Sequence, residues 1–291
     1  MFSKSNPAKR LNLVLIVSIC IGEALVMFAL PSFGDLSNWV TVLLDITLLT
    51  LITIPLVNWT VTIPMKKYIH DLEFAKHKIL VRENQMLAAL NSLAAAKDNE
   101  TGSHIIRTQQ YVELLAKRLK SMGHYTKELD DQCIDTLFKA ALLHDIGKVG
   151  IPDNILNKMG RLNDEEWEVM KSHASIGETV LSSAEVKSDS DQGVVQKAIQ
   201  MAGGHHEKWD GTGYPRGLKG KDIPLAARIM ALADVYDALV SERVYKSGWS
   251  HEDAVKEIVS KSGLHFDPLV VDALMEEQTN FQEIAQKYRD N

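Results

Sequence analysis

Two apolar runs near the amino terminus restrict the possible folds of this chain most strongly. Residues 11–30 form a first run of about 20 residues, which is the length that a helix needs to cross a bilayer. A second run covers residues 39–63, where Trp39 and Trp59 are placed like interfacial anchors. The length of the first run, the lack of a small-x-small cleavage site after it and the presence of the second run argue against a signal peptide. We therefore expect a transmembrane hairpin over residues 1–65.

The charges around these runs predict the orientation of the hairpin. Lys4, Lys9 and Arg10 precede the first run, and Lys66 and Lys67 follow the second, whereas the loop between the runs has no lysine or arginine. The positive-inside rule places both ends in the cytoplasm. We therefore expect a multi-pass protein of the bacterial inner membrane whose remaining chain lies in the cytoplasm.

Two acidic residues interrupt the apolar runs, Glu23 in the first and Asp45 in the second. Each lies about 11 residues from the loop centre, or roughly 16 Å along a helix, which is near the middle of a ~30 Å hydrocarbon core. In an antiparallel hairpin the two carboxyl groups would lie at the same depth. Two interpretations stay open. Either each acid is protonated or bonded to Ser18, Thr41 or Thr47, or the two share a proton and sense a signal or fix a dimer.

Residues 66–97 predict a charged connector helix. Six apolar residues recur at steps of three and four, with Lys76 and Glu83 in the remaining places of the pattern. These residues, here called the seam, are Ile69, Leu72, Ile79, Met86, Leu90 and Leu93. The spacing is that of a heptad repeat. The helix either packs on its own domain or, as we prefer, forms a homodimer through residues 66–97 and carries motion from the membrane to the soluble domain.

The rest of the chain, residues 98–291, predicts helices and no sheet, because no stretch alternates apolar and polar residues for long enough. Asn163 and Glu166 form a capping-box pattern at the start of one helix. Residues 129–143 predict another helix, and we expect Gly147 to end it in the left-handed conformation. The predicted fold class is therefore all-α, a helical bundle preceded by a hairpin and a connector.

Composition excludes two kinds of protein. The formal net charge is −6, so the chain has no basic surplus to bind nucleic acid in general. Cys20 and Cys133 lie far apart and suggest neither a disulfide framework nor a zinc knot. The histidines are more informative, because six of those in the last two-thirds of the chain occupy settings worth testing, several beside acids. They are His104, His144, His173, His205, His206 and His265.

Histidine and acidic side chains recur on consecutive predicted helices. The candidate ligands are Glu100, His104, His144, Asp145, His173, His205, His206 and Asp234. Glu100 and His104 are one helical turn apart, and Asp234 lies inside an apolar helix, where an unpaired carboxylate would be costly. Histidine together with carboxylate suits Fe, Mn or Zn better than Ca or Mg. Eight such groups are too many for one ion, so we expect two or three divalent metal ions.

The order of these residues resembles that of a known family. His144-Asp145 resembles the HD signature of the metal-dependent phosphohydrolase superfamily. Residues 205–215, which read HHEKWDGTGYP, resemble the second signature of the HD-GYP subfamily. The resemblance covers residues 98–268. It includes Gly213-Tyr214-Pro215, Arg107 and Phe266-Asp267-Pro268.

The resemblance implies a fold, a reaction and residue roles. It implies an all-α bundle with two or three metals, usually iron or manganese, that hydrolyses cyclic di-GMP to pGpG and often to GMP. The candidate ligands would hold the metals, Asp145 would bridge two of them, and Glu100 with His104 would accompany a third. Lys148 would contact the scissile phosphate. The nucleotide would be held by Gly213, Tyr214, Pro215, Arg243 and Lys246.

Three functions follow as alternatives. The leading hypothesis is a membrane-bound cyclic di-GMP phosphodiesterase that is regulated through the hairpin. The second is hydrolysis of another cyclic dinucleotide, such as cyclic GMP-AMP. The third is a signalling adaptor that binds nucleotide or a GGDEF-domain partner and turns over little. A complete set of metal ligands argues against the adaptor.

Overall fold

The computed structural model describes residues 7–33, 37–95, 97, 102–183, 193–241 and 248–289. Within these ranges the regular structure is helical, and the one bridge of the β type joins Ser262 to Phe266. The prediction of an all-α fold is therefore confirmed. The chain divides into two units, Met1–Arg82 and Glu83–Asn291.

The first unit contains two helices and the start of a third. They are α1 (Pro7–Ala29), α2 (Asn38–Val57) and α3 (Ile63–Ala95), and a π-helical turn, Asn58–Thr62, joins α2 to α3. Pro64 follows this turn, and because a proline has no N–H it cannot donate to the carbonyl of Thr60 inside the turn. Helices α1 and α2 contact each other at Gly22, where a methyl group would lie 2.7 Å from Cγ2 of Thr53.

The structure supports membrane association only in part. Among the described residues one helical stretch, Asn38–Leu90, is long and apolar enough to cross a membrane, and a second apolar stretch, Ile16–Ala29, is shorter. The two-span hairpin is therefore not confirmed and stays a prediction. Glu23 and Asp45 are both exposed on their helices. Thr47 donates to the carbonyl of Leu43 at 2.7 Å, so its hydroxyl hydrogen bonds within its own helix.

The second unit holds the end of α3 and eight further helices in the described residues. They are α4 (Gly102–Ser121), α5 (Asp131–Ala140), α6 (Asp153–Leu156), α7 (Asp164–Ser183), α8 (Val194–Gly204), α9 (Leu225–Val240), α10 (His251–Ser260) and α11 (Pro268–Lys287). Side-chain caps begin several of them, as the sequence indicates. Asn163 and Glu166 exchange reciprocal hydrogen bonds at the start of α7, at 2.9 and 2.8 Å, which confirms the capping box.

The core of this unit forms where α4, α9 and α11 meet. Tyr111 of α4 stacks on Phe281 of α11 at 4.5 Å between ring centroids, and its edge meets Tyr236 of α9 at 5.2 Å. All three side chains are fully buried. Helices α5, α7 and α8 pack around this core. Residues on these helices and in the turns that follow α5 and α8 bring the candidate ligands together.

Gly147 does not have the conformation that the sequence predicts. It is absent from the glycines with positive φ, and it lies inside a 3₁₀ turn, Ile146–Gly150. The preceding helix α5 ends earlier, at Ala140, and a short 3₁₀ segment, Ala141–Leu143, follows it. The left-handed cap is therefore wrong. The reason for a glycine here is the close approach of α7, whose His173 carbonyl oxygen would lie 2.0 Å from an added Cβ.

Candidate metal centre

His144 and Asp145 lie in the turn between the two 3₁₀ segments after α5. The backbone at Asp145 has left the helical region, with φ −104° and ψ 13°. Nδ1 of His144 lies 2.8 Å from the carbonyl oxygen of Ala141, so this nitrogen donates and Nε2 presents its lone pair away from the helix. The local turn thus directs Asp145 toward the middle of α7, at His173, and toward the end of α8, at His205.

Asp145, His173, His205 and His206 form the first group of ligand atoms, here called the His173 group, all within 4.8 Å of one another. Oδ1 of Asp145 lies 3.4 Å from Nε2 of His173 and 3.6 Å from Nε2 of His205. Nε2 of His206 lies 3.1 Å from Nε2 of His173. Backbone carbonyls of Met170 and Met201 orient the rings of His173 and His205 through Nδ1, at 2.7 and 2.8 Å.

His104, His144 and Asp234 form the second group, here called the His104 group. Nε2 of His104 lies 3.9 Å from Oδ1 of Asp234. The two groups are adjacent, because Nε2 of His144 lies 3.3 Å from Oδ2 of Asp145. Asp145 therefore presents one oxygen to each group, which is the arrangement expected of a bridging carboxylate.

Unpaired buried atoms indicate that the two groups can bind cations. Nε2 of His144, Nε2 of His205 and Oδ1 of Asp145 are buried, and none has a hydrogen-bond partner among the described residues. Buried polar atoms are rarely left unpaired, because each costs about 1–3 kcal/mol. Three such atoms that converge on one place fit metal ligands. Imidazole nitrogens with carboxylate oxygens favour a divalent transition metal.

The electrostatics of Asp145 support the same interpretation. Burial raises the pKa of this carboxyl, but Lys148 and His144 oppose that effect and hold the pKa well below its usual range. For His144, burial lowers the pKa and the Asp145 carboxylate raises it more strongly, to about 9. Burial lowers the pKa of both His173 and His206. The carboxylate of Asp145 lies against Nε2 of His173 and Nε2 of His205 and attracts a cation to these atoms.

Lys148 and the loop that carries the predicted GYP residues lie beside the His173 group. Nζ of Lys148 is 2.8 Å from Oδ2 of Asp145, and its side chain is 16% exposed. The ring of Tyr214 stacks on His206, with 4.8 Å between centroids and 27° between planes. Trp167 of α7 meets Tyr214 edge to face at 6.3 Å and remains about half exposed, a contact that the sequence does not reveal. Pro215 follows Tyr214 at the protein surface.

The side chain of Glu207 stabilises this loop from the protein interior. Its side chain is buried, and its two carboxylate oxygens accept from the backbone N–H groups of Arg216 at 2.8 Å and Leu218 at 3.0 Å. Gly213 packs against the same residue, since a Cβ there would lie 2.5 Å from Cα of Glu207. The loop can therefore approach His206 only with a glycine at position 213.

We expect Glu207→Ala to lower the free energy of unfolding by about 3 kcal/mol, because two hydrogen bonds to a charged group are lost at about 1.5–3 kcal/mol each. Glu178→Ala is the matched control, because its partner Arg216 is largely exposed and such pairs contribute about 0–1 kcal/mol. Urea unfolding of both variants measures the difference. Equal losses would show that Glu207 does not support the loop.

Three predicted site residues, Glu100, Arg243 and Lys246, lie outside the residues that the structure describes. The other predicted ligands are all present in the two groups. Sequence reasoning missed Asp237, which contacts Nδ1 of His104 at 2.8 Å. A signal was available, because Asp237 is a second acid in the same apolar helix as Asp234 and requires a partner for the same reason.

Relatives of this chain occur in Vibrio cholerae serotype O1. A "Probable cyclic di-GMP phosphodiesterase" is 54% identical over 208 residues, covering 72% of this chain and 47% of the relative. A "Cyclic di-GMP phosphodiesterase" is 47% identical over 220 residues, covering 76% and 44%. A "3'3'-cGAMP-specific phosphodiesterase 2" is 39% identical over 197 residues, covering 68% and 35%. The chain thus spans less than half of the length of these relatives.

The family model described as "HD domain" matches residues 79–270. That range contains the His144-Asp145 pair and every described member of the His173 and His104 groups. It also contains the end of α3, which belongs to the second unit by its contacts. Since the match covers most of the chain and the whole metal centre, this chain belongs to the HD domain family.

Proposed function

We propose that this chain is a metal-dependent phosphodiesterase of the HD-GYP type that hydrolyses cyclic di-GMP to pGpG, GMP or both. The observation that most supports this proposal is that Asp145 lies where the His173 group and the His104 group meet. Three ligand atoms there are buried and have no hydrogen-bond partner among the described residues. The names of the two most similar relatives above favour cyclic di-GMP as the substrate.

The proposed metals are two or three ions of iron or manganese. The His173 group and the His104 group would each hold one, and Glu100 would complete a third site with His104. Divalent ions would make hydroxide available near neutral pH and would neutralise charge on the phosphoryl oxygens.

The chain's own residues bind and orient the substrate in this proposal. The ammonium of Lys148 lies beside both groups and adds a positive charge where the scissile phosphate would approach. Tyr214 is held against His206 and offers the rest of its ring to a guanine. Gly213 allows this approach and Pro215 flanks it, and we propose that Arg243 and Lys246 bind phosphate from the far side. Asp145 holds the two groups together.

Turnover assays with defined metals test the proposal. Full-length protein in detergent, loaded with Mn or with Fe(II) under anaerobic conditions, should cleave cyclic di-GMP at a higher rate than cyclic GMP-AMP. The reverse preference would favour the second candidate, because a relative at 39% identity is named for cyclic GMP-AMP. Metal-loaded protein that binds nucleotide and cleaves neither compound would instead favour an adaptor for a GGDEF-domain partner.

We further propose that the first unit anchors the enzyme in the bacterial inner membrane as a hairpin, with the catalytic unit in the cytoplasm. The described apolar side chains of α1 and α2 are mostly exposed, which suits a lipid environment. Glu23 and Asp45 would then respond to a signal or to dimerisation. The double variant Glu23→Gln with Asp45→Asn should change regulation and leave the chemistry intact.

The connector supports a parallel homodimer. The seam residues of α3 whose side chains are described are exposed, and Ile79 and Met86 are 65% and 66% exposed. In the proposed dimer the side chain of Ile79 would be buried against the partner helix. We therefore expect Ile79→Lys to weaken the affinity between protomers by about 2 kcal/mol, or roughly thirtyfold, because an aliphatic side chain is lost from that interface. Phe74→Lys is the matched control, since Phe74 is 63% exposed and lies opposite the seam. Light scattering in detergent measures both, and equal masses would contradict the proposed seam.

A further inference from the structure

Asp237 is a buried acid that is not a member of either ligand group. It lies in α9, one turn after Asp234, and is 1% exposed. Oδ2 of Asp237 lies 2.8 Å from Nδ1 of His104. Arg107 binds the same carboxylate in a bidentate arrangement: Nε donates to Oδ1 at 2.6 Å and Nη2 donates to Oδ2 at 2.9 Å.

This contact determines how His104 faces the metal centre. A carboxylate only accepts hydrogen bonds, so Nδ1 of His104 carries the proton and Nε2 keeps its lone pair for the side of Asp234. Arg107 donates two hydrogen bonds to the carboxylate of Asp237, which hold it in place as the acceptor for His104. An ionised partner also increases the basicity of the imidazole.

Three other histidine ligands, one from the His104 group and two from the His173 group, are oriented differently. The rings of His144, His173 and His205 are held through Nδ1 by the backbone carbonyls of Ala141, Met170 and Met201, each at 2.7–2.8 Å. These carbonyls belong to the same helical segments as the histidines that they hold. Of these four histidines, His104 alone is held through Nδ1 by a side chain from another helix. A substitution can therefore disturb the His104 group and leave the His173 group in place.

Arg107 also connects Asp237 to the end of α11 and to the residue that follows α9. Its Nη1 donates to the backbone carbonyl of Tyr288 at 2.7 Å, just after α11, and its Nη2 also donates to Oγ of Ser241 at 2.9 Å. Helices α4, α9 and α11 are therefore joined at one buried guanidinium. Contacts from three helices fix the position of Asp237, the acceptor for Nδ1 of His104.

We propose that Asp237, held by Arg107, is a positioning residue that sets the affinity of the His104 group for its metal ion. This inference rests on the proposed metal centre. Loss of a side chain that orients a metal-bound histidine weakens metal binding by about 10–100-fold. We therefore expect Asp237→Asn to weaken the binding of the ion at the His104 group by that factor and to leave the binding of the ion at the His173 group unchanged.

The chain offers a matched control in a second buried pair. Nη1 of Arg228 lies 2.6 Å from Oδ2 of Asp267, and both side chains are buried to a similar degree as Arg107 and Asp237. Oδ2 of Asp267 also accepts from the hydroxyl of Tyr125 at 2.8 Å, and Asp267 caps α11. Asp267→Asn thus breaks an equivalent buried pair that touches neither ligand group.

The experiment measures metal content and affinity, not turnover. Full-length wild type, Asp237→Asn and Asp267→Asn are purified anaerobically, stripped, and titrated with Mn(II), with bound ions counted by elemental analysis. We expect Asp237→Asn to bind one ion fewer at low Mn(II), with a 10–100-fold higher Kd for that ion, while Asp267→Asn keeps the wild-type count. If either variant fails to fold, Arg107→Gln/Asp237→Asn and Arg228→Gln/Asp267→Asn repeat the comparison without an unpaired buried arginine.

The possible outcomes separate this inference from the proposed function. Wild-type affinities in folded Asp237→Asn would overturn the positioning role and leave the metal centre intact. Equal losses in Asp237→Asn and Asp267→Asn would overturn it as well, because the effect would be one of general stability. Wild-type protein that binds no Mn(II) would overturn the metal centre itself.

Discussion

Asp145→Asn is expected to lower the turnover of cyclic di-GMP by at least about 10³-fold and to reduce the metal content of the protein. The carboxylate of Asp145 contacts Nε2 of His144, His173 and His205 at 3.3–3.6 Å, so one substitution acts on both ligand groups. A neutral amide keeps the shape of the side chain and removes the charge. Catalytic metals contribute several kcal/mol, and about 4 kcal/mol corresponds to 10³-fold in rate.

Asp153→Asn is the appropriate control for this substitution. Asp153 follows the same turn, but its side chain is 77% exposed and its recorded partner is Lys97 at 3.5 Å. Its removal should change turnover by less than about twofold, since exposed pairs contribute about 0–1 kcal/mol. Turnover is measured by separating the nucleotides after reaction, and bound metal by elemental analysis. Asp145→Asn protein with wild-type metal content and wild-type turnover would remove Asp145 from the centre.

Much of the metal centre could be predicted from residue types and local spacing. A histidine beside an acid at a helix end, or two adjacent histidines after a helix, is weak evidence alone, and the recurrence of such groups on consecutive helices makes the prediction. Asp234 inside an apolar helix requires a partner. These local arguments identify His144, Asp145, His205, His206 and Asp234, and the structure brings all five into the two groups. The helical fold follows from similar local patterns, such as the capping box at α7.

The arrangement of distant segments could not be predicted in this way. Asp237 acquires its role only because α4 brings His104 and Arg107 against α9. Leu87 of α3 lies outside the predicted seam and is nonetheless buried in the core cluster of the second unit. In both cases the controlling contact joins residues far apart in sequence. A pattern within one helix does not contain that information.

Gly147 gives the second large predicted effect, and it depends on such a distant contact. A Cβ at this position would lie 2.0 Å from the carbonyl oxygen of His173 and 2.5 Å from the backbone nitrogen of Gly177, both in α7. Neither atom belongs to a side chain that can rotate away. The backbone of α7 would have to move, and His173 would move with it, away from Asp145.

We therefore expect Gly147→Ala to lower the free energy of unfolding by about 3 kcal/mol or more, at or above the upper end for overpacked sites. It should also weaken metal binding, because the displaced helix carries a ligand. Gly102→Ala is the matched control. An added Cβ at Gly102, at the start of α4, would meet no atom of the described residues within 4 Å, and alanine there favours the helix by up to about 1 kcal/mol.

Urea unfolding and Mn(II) titration of the two glycine variants measure stability and metal affinity separately. We expect Gly147→Ala to lose both and Gly102→Ala to keep both. A left-handed cap at Gly147 would predict a different result, because its strain is local and would leave α7 and the affinity for metal unchanged. Loss of metal affinity in folded Gly147→Ala protein therefore distinguishes close helix packing from a turn requirement at this residue.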